Sequence, residues 1–149
     1  MSLEWNDMGK ESSGLMGLLD FVSMNKSLRK LDLRNNSITG VEADTLAKIL
    51  KSSQSLVMID LRWNALGNKG AKILYDAVKN SPWILKLDLN GNTISEEILR
   101  EIDAEIEMHN KANPQGLRNT PDIFNGTNTM TSGPWNRTDG LVSPNVHDV

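Results

Sequence analysis

A short pattern that returns at a nearly constant interval limits what this chain can fold into more than any other feature. The pattern is L-x-x-L-x-L-x-x-N-x-L, where L stands for an aliphatic residue and x for any residue. Its asparagines, at positions 6, 36, 64 and 92, are 30, 28 and 28 residues apart. Three complete copies have their central blocks at Leu31–Ile38, Ile59–Leu66 and Leu87–Ile94, and a partial copy begins at Met1. A repeat of this length cannot bury an apolar face alone, so the pattern predicts a stack of repeats that share one core.

Between the blocks, apolar residues recur at the spacing of one helix face. The same offsets hold in three successive segments: Leu15, Leu18, Phe21 and Val22; Ala43, Leu46, Ile49 and Leu50; and Ala71, Leu74, Ala77 and Val78. Each repeat is therefore predicted to be a strand, a turn and a helix whose apolar face points inward.

These repeats resemble the ribonuclease-inhibitor-like class of leucine-rich repeats, and the segment 66–71 resembles the loop that leads into the helix in that family. The resemblance covers about residues 1–112. It implies an α/β fold, a short leucine-rich-repeat solenoid of about four strand-turn-helix repeats with a parallel sheet on its concave side. The recurring asparagines are predicted to turn inward and bond backbone groups of the neighbouring turn, because a buried amide must find partners.

The composition divides the chain into a repeat domain, residues 1–113, and a tail, residues 114–149. The domain should end in a cap helix that begins after Ser95, whose hydroxyl can cap it, and that stops before Pro114. The tail is rich in Gly, Pro, Asn, Thr and Ser, and such a segment is predicted to be extended or disordered alone. Two interpretations remain open: a partner holds the tail through Phe124 and Trp135, or the tail folds back over the solenoid.

The composition argues against most other function classes. A net charge of −3 gives no global positive field for nucleic acid or an anionic membrane. The chain has no cysteine, and its two histidines, His109 and His147, offer no catalytic triad or metal cluster. We therefore expect no enzymatic activity, no cofactor, no metal and no small-molecule substrate. The start of the chain has no basic leader or long apolar run, which predicts a cytoplasmic protein.

Strand residues that alternate with the core leucines should form rows on the concave face, because strand side chains alternate in direction. The rows are Lys30, Met58 and Lys86; Asp32, Asp60 and Asp88; and Arg34, Arg62 and Asn90, with Ser2 and Glu4 extending the last two. The charges either neutralise one another across strands or form a strip that docks a partner. Trp5 and Trp63 stand at its margin, either as interface anchors or packed over the strand-to-helix turn.

The elements Glu4-Trp5-Asn6 and Leu61-Arg62-Trp63-Asn64 are similar to the repeat regions of centrosomal and ciliary leucine-rich-repeat proteins. That resemblance implies a protein-binding scaffold or adaptor, a structural subunit of a large ciliary, axonemal or centrosomal assembly. The tail departs from those relatives that continue into a coiled coil. The other interpretation is a regulatory module that inhibits or modulates an enzyme or GTPase through the concave face. The first strand has no preceding repeat, so another chain or a second copy is expected to cover it.

Overall fold

The computed structural model describes residues 1–9 and 12–116. The elements follow one another in the order α1 (Ser12–Met24), β1 (Lys30–Asp32), α2 (Ala43–Ser52), β2 (Met58–Asp60), α3 (Gly67–Lys79), β3 (Lys86–Asp88) and α4 (Glu96–Ala112). The predicted alternation of strand, turn and helix is confirmed, and the fold is a short α/β solenoid.

The three strands form one parallel sheet in the order β1-β2-β3, with Lys30 opposite Met58 and Met58 opposite Lys86. Ser2 adds a single parallel bridge to Asp32, so the partial first repeat continues the sheet by one residue pair. Each helix packs against the next one along the chain. The strand leucines and the inner helix faces together form one hydrophobic core. The parallel register places equivalent residues of successive repeats side by side.

The asparagines connect the repeats, as Asn64 illustrates. Its Nδ2 donates to the carbonyls of Leu33 and Leu61, at 3.0 and 2.9 Å. Its Oδ1 accepts from the backbone N–H groups of Asn36 and Ile38, both at 3.0 Å. Asn36 and Asn92 also bond backbone groups of the preceding repeat. Their predicted structural role is confirmed.

Asn6 differs because no repeat precedes it in the described structure. Its side chain is exposed and donates only within its own repeat, to the carbonyls of Leu3 and Glu4. Asn6 therefore bonds backbone carbonyls as predicted, but those of its own repeat and not of a neighbouring one, among the described residues.

Phe21 was predicted to lie in the core, and the structure corrects this. Its side chain is 45 % exposed, whereas Ile49 and Ala77 at the equivalent positions are fully buried. The difference arises because α2 and α3 each have a helix on the preceding side and α1 has none in the described structure. A cover from another chain or a second copy stays a prediction.

The last helix agrees with its predicted bounds but not with its predicted cap. Ser95 stands just before the helix, yet its hydroxyl makes no capping bond. Its backbone N–H instead donates to Oδ1 of Asn68 at 2.8 Å. The other end of the helix is held to the segment before β3 by His109, whose Nδ1 lies 2.8 Å from the carbonyl oxygen of Ile84. None of the described helices is long and apolar enough to cross a membrane.

Candidate protein-binding surface

The acidic and basic rows are bonded to each other within each repeat. Asp60 is fully buried, and its Oδ1 accepts from the backbone N–H and Nε of Arg62, at 3.1 and 3.0 Å. Its Oδ2 accepts from Nη2 of the same arginine at 2.8 Å. Asp32 and Arg34 repeat this arrangement one strand earlier. Asp32 and Asp60 thus each have both oxygens bonded by the arginine two residues later.

The same groups also pair across strands. Glu4 and Arg34 are 3.0 Å apart, and Arg34 Nε lies 3.5 Å from Oδ2 of Asp60. Arg62 Nε then lies 3.8 Å from Oδ2 of Asp88. We call these residues the ladder: Glu4, Asp32, Arg34, Asp60, Arg62 and Asp88. Its geometry favours the self-neutralising interpretation for Asp32 and Asp60, and a docking role for them stays a prediction.

The ladder ends differently at Asp88, because Asn90 occupies the place of the third arginine. Oδ1 of Asp88 accepts from the backbone N–H and the Nδ2 of Asn90, at 3.1 and 2.7 Å. Oδ2 is buried and has no hydrogen-bond donor among the residues that the structure describes. The side chain of Asn90 is too short to reach both oxygens as arginine does.

The two ends of the acidic row consequently differ in pKa. Burial raises the pKa of Asp32, but the hydrogen bonds from the side chain and backbone of Arg34 outweigh it and hold the pKa below its usual value. Burial also raises the pKa of Asp88, and there the bonds from Asn90 do not compensate. Asp88 is thus a buried carboxylate whose negative charge is stabilised by few hydrogen bonds.

Trp5 and Trp63 are exposed at the ends of their strands, with 74 % and 44 % of their surface accessible. Both have a left-handed backbone, with φ of 63° and 55°. Asn35 and Gly91, at the same repeat position, have φ of 52° and 75°. The turn therefore requires a left-handed residue at this position in every described repeat. Asn and Gly adopt that conformation readily, whereas a bulky residue there is strained.

Trp63 agrees in part with each of the two interpretations, an interface anchor and a ring packed over the turn. The guanidinium of Arg62 lies 5.1 Å from the centre of its ring. On the next repeat, a β-carbon added to Gly91 would lie 2.6 Å from Cδ1 of Trp63, so only glycine leaves room for the indole. Trp63 therefore packs over the neighbouring turn and still presents part of its ring to solvent.

Trp5 and Trp63 lie on the same edge of the sheet, on either side of Asn35. The backbone N–H of Trp5 donates to the carbonyl of Arg34, and that of Asn35 donates to the carbonyl of Arg62. Two strand spacings of about 4.8 Å place the two tryptophan backbones roughly 10 Å apart. We call Trp5, Asn35 and Trp63 the tryptophan edge.

The structure brings most of the predicted site residues together, since the ladder leads directly to the tryptophan edge. Phe124 and Trp135 lie outside the described residues. Within the described part of the chain, no group of three or more acidic or histidine side chains is placed to hold a metal ion.

Sequence reasoning missed two features of this surface. The left-handed turn position was signalled by Asn35 and Gly91, because these residue types favour positive φ. The unbonded oxygen of Asp88 was signalled by the change from arginine to asparagine at position 90.

One family model, described as Leucine Rich Repeat, matches residues 27–49. A second model of the same description matches residues 52–74 and 80–102. The chain contains leucine-rich repeats. The matched segments fall on the three complete repeats seen in the structure. Neither the ribonuclease-inhibitor-like class nor the centrosomal and ciliary resemblance is distinguished by these matches. The leucine-rich-repeat chain has no significant match among curated proteins.

Among solved structures, 24 chains match the leucine-rich-repeat chain. One is described as the leiomodin-1 actin-binding site 2, with a TM-score of 0.59 and 16 % identity over 70 % of this chain and 61 % of that one. Another is the tropomodulin C-terminal domain of Caenorhabditis elegans, with a TM-score of 0.50 and 15 % identity over 79 % of this chain and 86 % of that one. This chain thus spans less than two thirds of the leiomodin-1 chain. At these identities, the likeness shows a shared fold.

Proposed function

We propose that the chain is a non-catalytic protein-interaction module that binds a partner through the tryptophan edge. The observation that carries this proposal is the pair of exposed tryptophans held in a left-handed backbone, Trp5 and Trp63. Tryptophan is among the residues that contribute most to protein interfaces, because its large rigid surface is buried at little entropic cost.

The conformational cost of holding a tryptophan in a left-handed backbone supports the proposal. A left-handed backbone costs a residue with a side chain about 1–2 kcal/mol, and Asn or Gly reduces that cost. Asn35 shows that a polar residue fits this turn in the same solenoid. Strain that persists where an unstrained residue would fit is typical of functional positions.

We infer that the partner belongs to a cytoskeletal assembly. The similar structure from leiomodin-1 is described as an actin-binding site, and it shares the fold of this chain. The Glu-Trp-Asn and Leu-Arg-Trp-Asn elements, at residues 4–6 and 61–64, support the finer proposal of a scaffold or adaptor in a ciliary, axonemal or centrosomal assembly. The regulatory alternative relies on the charges of the concave face. The bonds that Asp32 and Asp60 already make to arginine weaken that alternative.

The proposal is tested with the full chain carrying both Trp5→Asn and Trp63→Asn. Asparagine preserves the left-handed turn, as Asn35 does, and removes the indoles. Val41→Asn is the matched control, since Val41 is an 80 % exposed apolar residue that lies outside both the tryptophan edge and α1. Co-sedimentation with actin filaments and with microtubules, and affinity purification from ciliated cells, measure partner binding.

We expect the double variant to lose at least about ten-fold in affinity for the partner that the natural chain recovers, with no loss in the Val41→Asn control. Equal binding by the natural chain and the double variant would refute the tryptophan edge as the interface. Recovery of axonemal or centrosomal proteins would support the finer proposal, whereas recovery of a single soluble enzyme would contradict it.

A further inference from the structure

We infer that the end of the ladder is a recognition site for an arginine side chain of the partner, bound at Asp88 beside Asn90. The inference rests on the proposed function and names the chemistry that the partner presents to one end of the surface.

The first two complete repeats show what an aspartate in this row requires. In each, Nη2 of the arginine two residues later donates a hydrogen bond to one carboxylate oxygen, Oδ2, at 2.8 Å. Nε and the backbone N–H of the same arginine donate to the other oxygen, Oδ1. A guanidinium thus satisfies both oxygens, as its planar set of donors allows.

The third complete repeat lacks that guanidinium. Asn90 bonds Oδ1 of Asp88 alone, and Oδ2 is left without a hydrogen bond among the described residues. Its contact with Arg62 is an ion pair at 3.8 Å, longer than a hydrogen bond. Asp88 is only 3 % exposed, so bulk water does not supply the hydrogen bond that its Oδ2 lacks.

The charges of the ladder favour a cation at this place. The bonded groups include four carboxylates, those of Glu4, Asp32, Asp60 and Asp88, and two guanidinium groups, among the residues that the structure describes. The arginines lie between carboxylates, and the series ends on Asp88. A third guanidinium would therefore continue the alternation of charges.

The position adjoins the tryptophan edge, and an exposed side chain closes it. Asn90 is exposed and bonded to Asp88, whose Oδ2 is buried, so an arginine of the partner reaches that oxygen by displacing the Asn90 side chain. The next residue is Gly91, over which Trp63 packs. A partner segment that contacts Trp63 can thus place an arginine on Asp88.

The first test is an NMR titration of the chain, residues 1–149, with a blocked Gly-Arg-Gly peptide. Shift changes at the amide of Asn90 and the indole N–H of Trp63 are expected, saturating at millimolar peptide. The same peptide with citrulline in place of arginine keeps the shape without the charge and should leave both signals unchanged. Equal shifts from the citrulline peptide would overturn the inference, and equal affinity for a lysine peptide would overturn the choice of arginine.

Two variants complete the test. Asp88→Asn should abolish the shifts, because it removes the carboxylate. Asn90→Arg should abolish them while preserving the fold, because it supplies the missing guanidinium from within the chain, as Arg62 does. An unchanged peptide response in Asn90→Arg would overturn the inference even if Asp88→Asn failed to fold.

The partner itself distinguishes this inference from the proposed function. If Asn90→Arg binds the partner as well as the natural chain does, while the tryptophan variants lose binding, the arginine site is wrong and the tryptophan edge stands. If the tryptophan variants bind normally, the proposed function fails, and the peptide titration still decides whether Asp88 binds a guanidinium.

Discussion

Replacing Asn64 by alanine should destabilise the solenoid far more than replacing Asn6, although both belong to the same repeat position. The Asn64 side chain satisfies two backbone N–H groups and two backbone carbonyls, and it is 8 % exposed. The Leu61 carbonyl keeps its bond from Nδ2 of Asn92, so the variant leaves three groups unpaired. An unpaired buried polar group costs about 1–3 kcal/mol, so three groups at the lower limit give about 3 kcal/mol. Because domains of this size are stable by about 5–15 kcal/mol, the variant should lose a large share of its stability.

Urea denaturation followed by circular dichroism measures this difference. Asn6→Ala is the matched control, because Asn6 is exposed and bonds only two carbonyls of its own repeat. We expect that control to lose less than about 1 kcal/mol. A loss below about 1 kcal/mol in Asn64→Ala, or equal losses in the two variants, would refute the reasoning that the amides join the repeats.

Three further predictions concern the surface itself. Trp63→Asn should change the free energy of unfolding by less than about 1 kcal/mol, because relief of left-handed strain offsets the lost ring contacts; a loss above about 3 kcal/mol in urea denaturation would assign Trp63 to the core. Gly91→Ala should destabilise the protein by about 2 kcal/mol or more in the same assay, since the position has φ of 75° and adjoins the indole of Trp63, and an unchanged midpoint would contradict this. Asp32→Asn should destabilise the protein at neutral pH, and the loss should shrink as the pH falls through the lowered pKa of Asp32. Asp88→Asn should instead remove a destabilising charge, whose cost disappears as the pH falls through the raised pKa of Asp88. Thermal melts from pH 7 to pH 3 measure both effects, and the same pH dependence in the two variants would refute this reasoning.

The repeat pattern was enough to predict the fold because it states the same requirement several times. Each asparagine must satisfy neighbouring backbone groups, and each apolar helix face must meet the sheet. Phe21 shows where the pattern is insufficient: its offset matches Ile49 and Ala77, but its burial depends on a neighbour that α1 lacks in the described structure. Equivalent positions share an environment only when both sides of the repeat are covered.

The candidate surface was less predictable, because it depends on geometry that the aliphatic pattern does not contain. Trp63 could be placed at a strand end from the sequence, but its left-handed backbone follows from the turn that the stack imposes. The rows of Asp and Arg could be predicted as well. Whether those charges face a partner or each other depends on distances of 2.8–3.8 Å that only the structure supplies.

Departures from the repeat are therefore the most informative residues, because the other repeats serve as internal controls. Where all repeats carry the same residue type, stacking is a sufficient explanation, as for Asn36, Asn64 and Asn92. Where one repeat carries a residue that costs energy and another repeat shows a cheaper one, stacking does not explain the choice of residue. Trp63 adopts a strained backbone that Asn or Gly adopts readily in other repeats, and Asn90 leaves a buried carboxylate oxygen that arginine satisfies elsewhere. Both departures adjoin on one edge of the sheet, so a single partner that buries the indole and supplies a guanidinium would account for both.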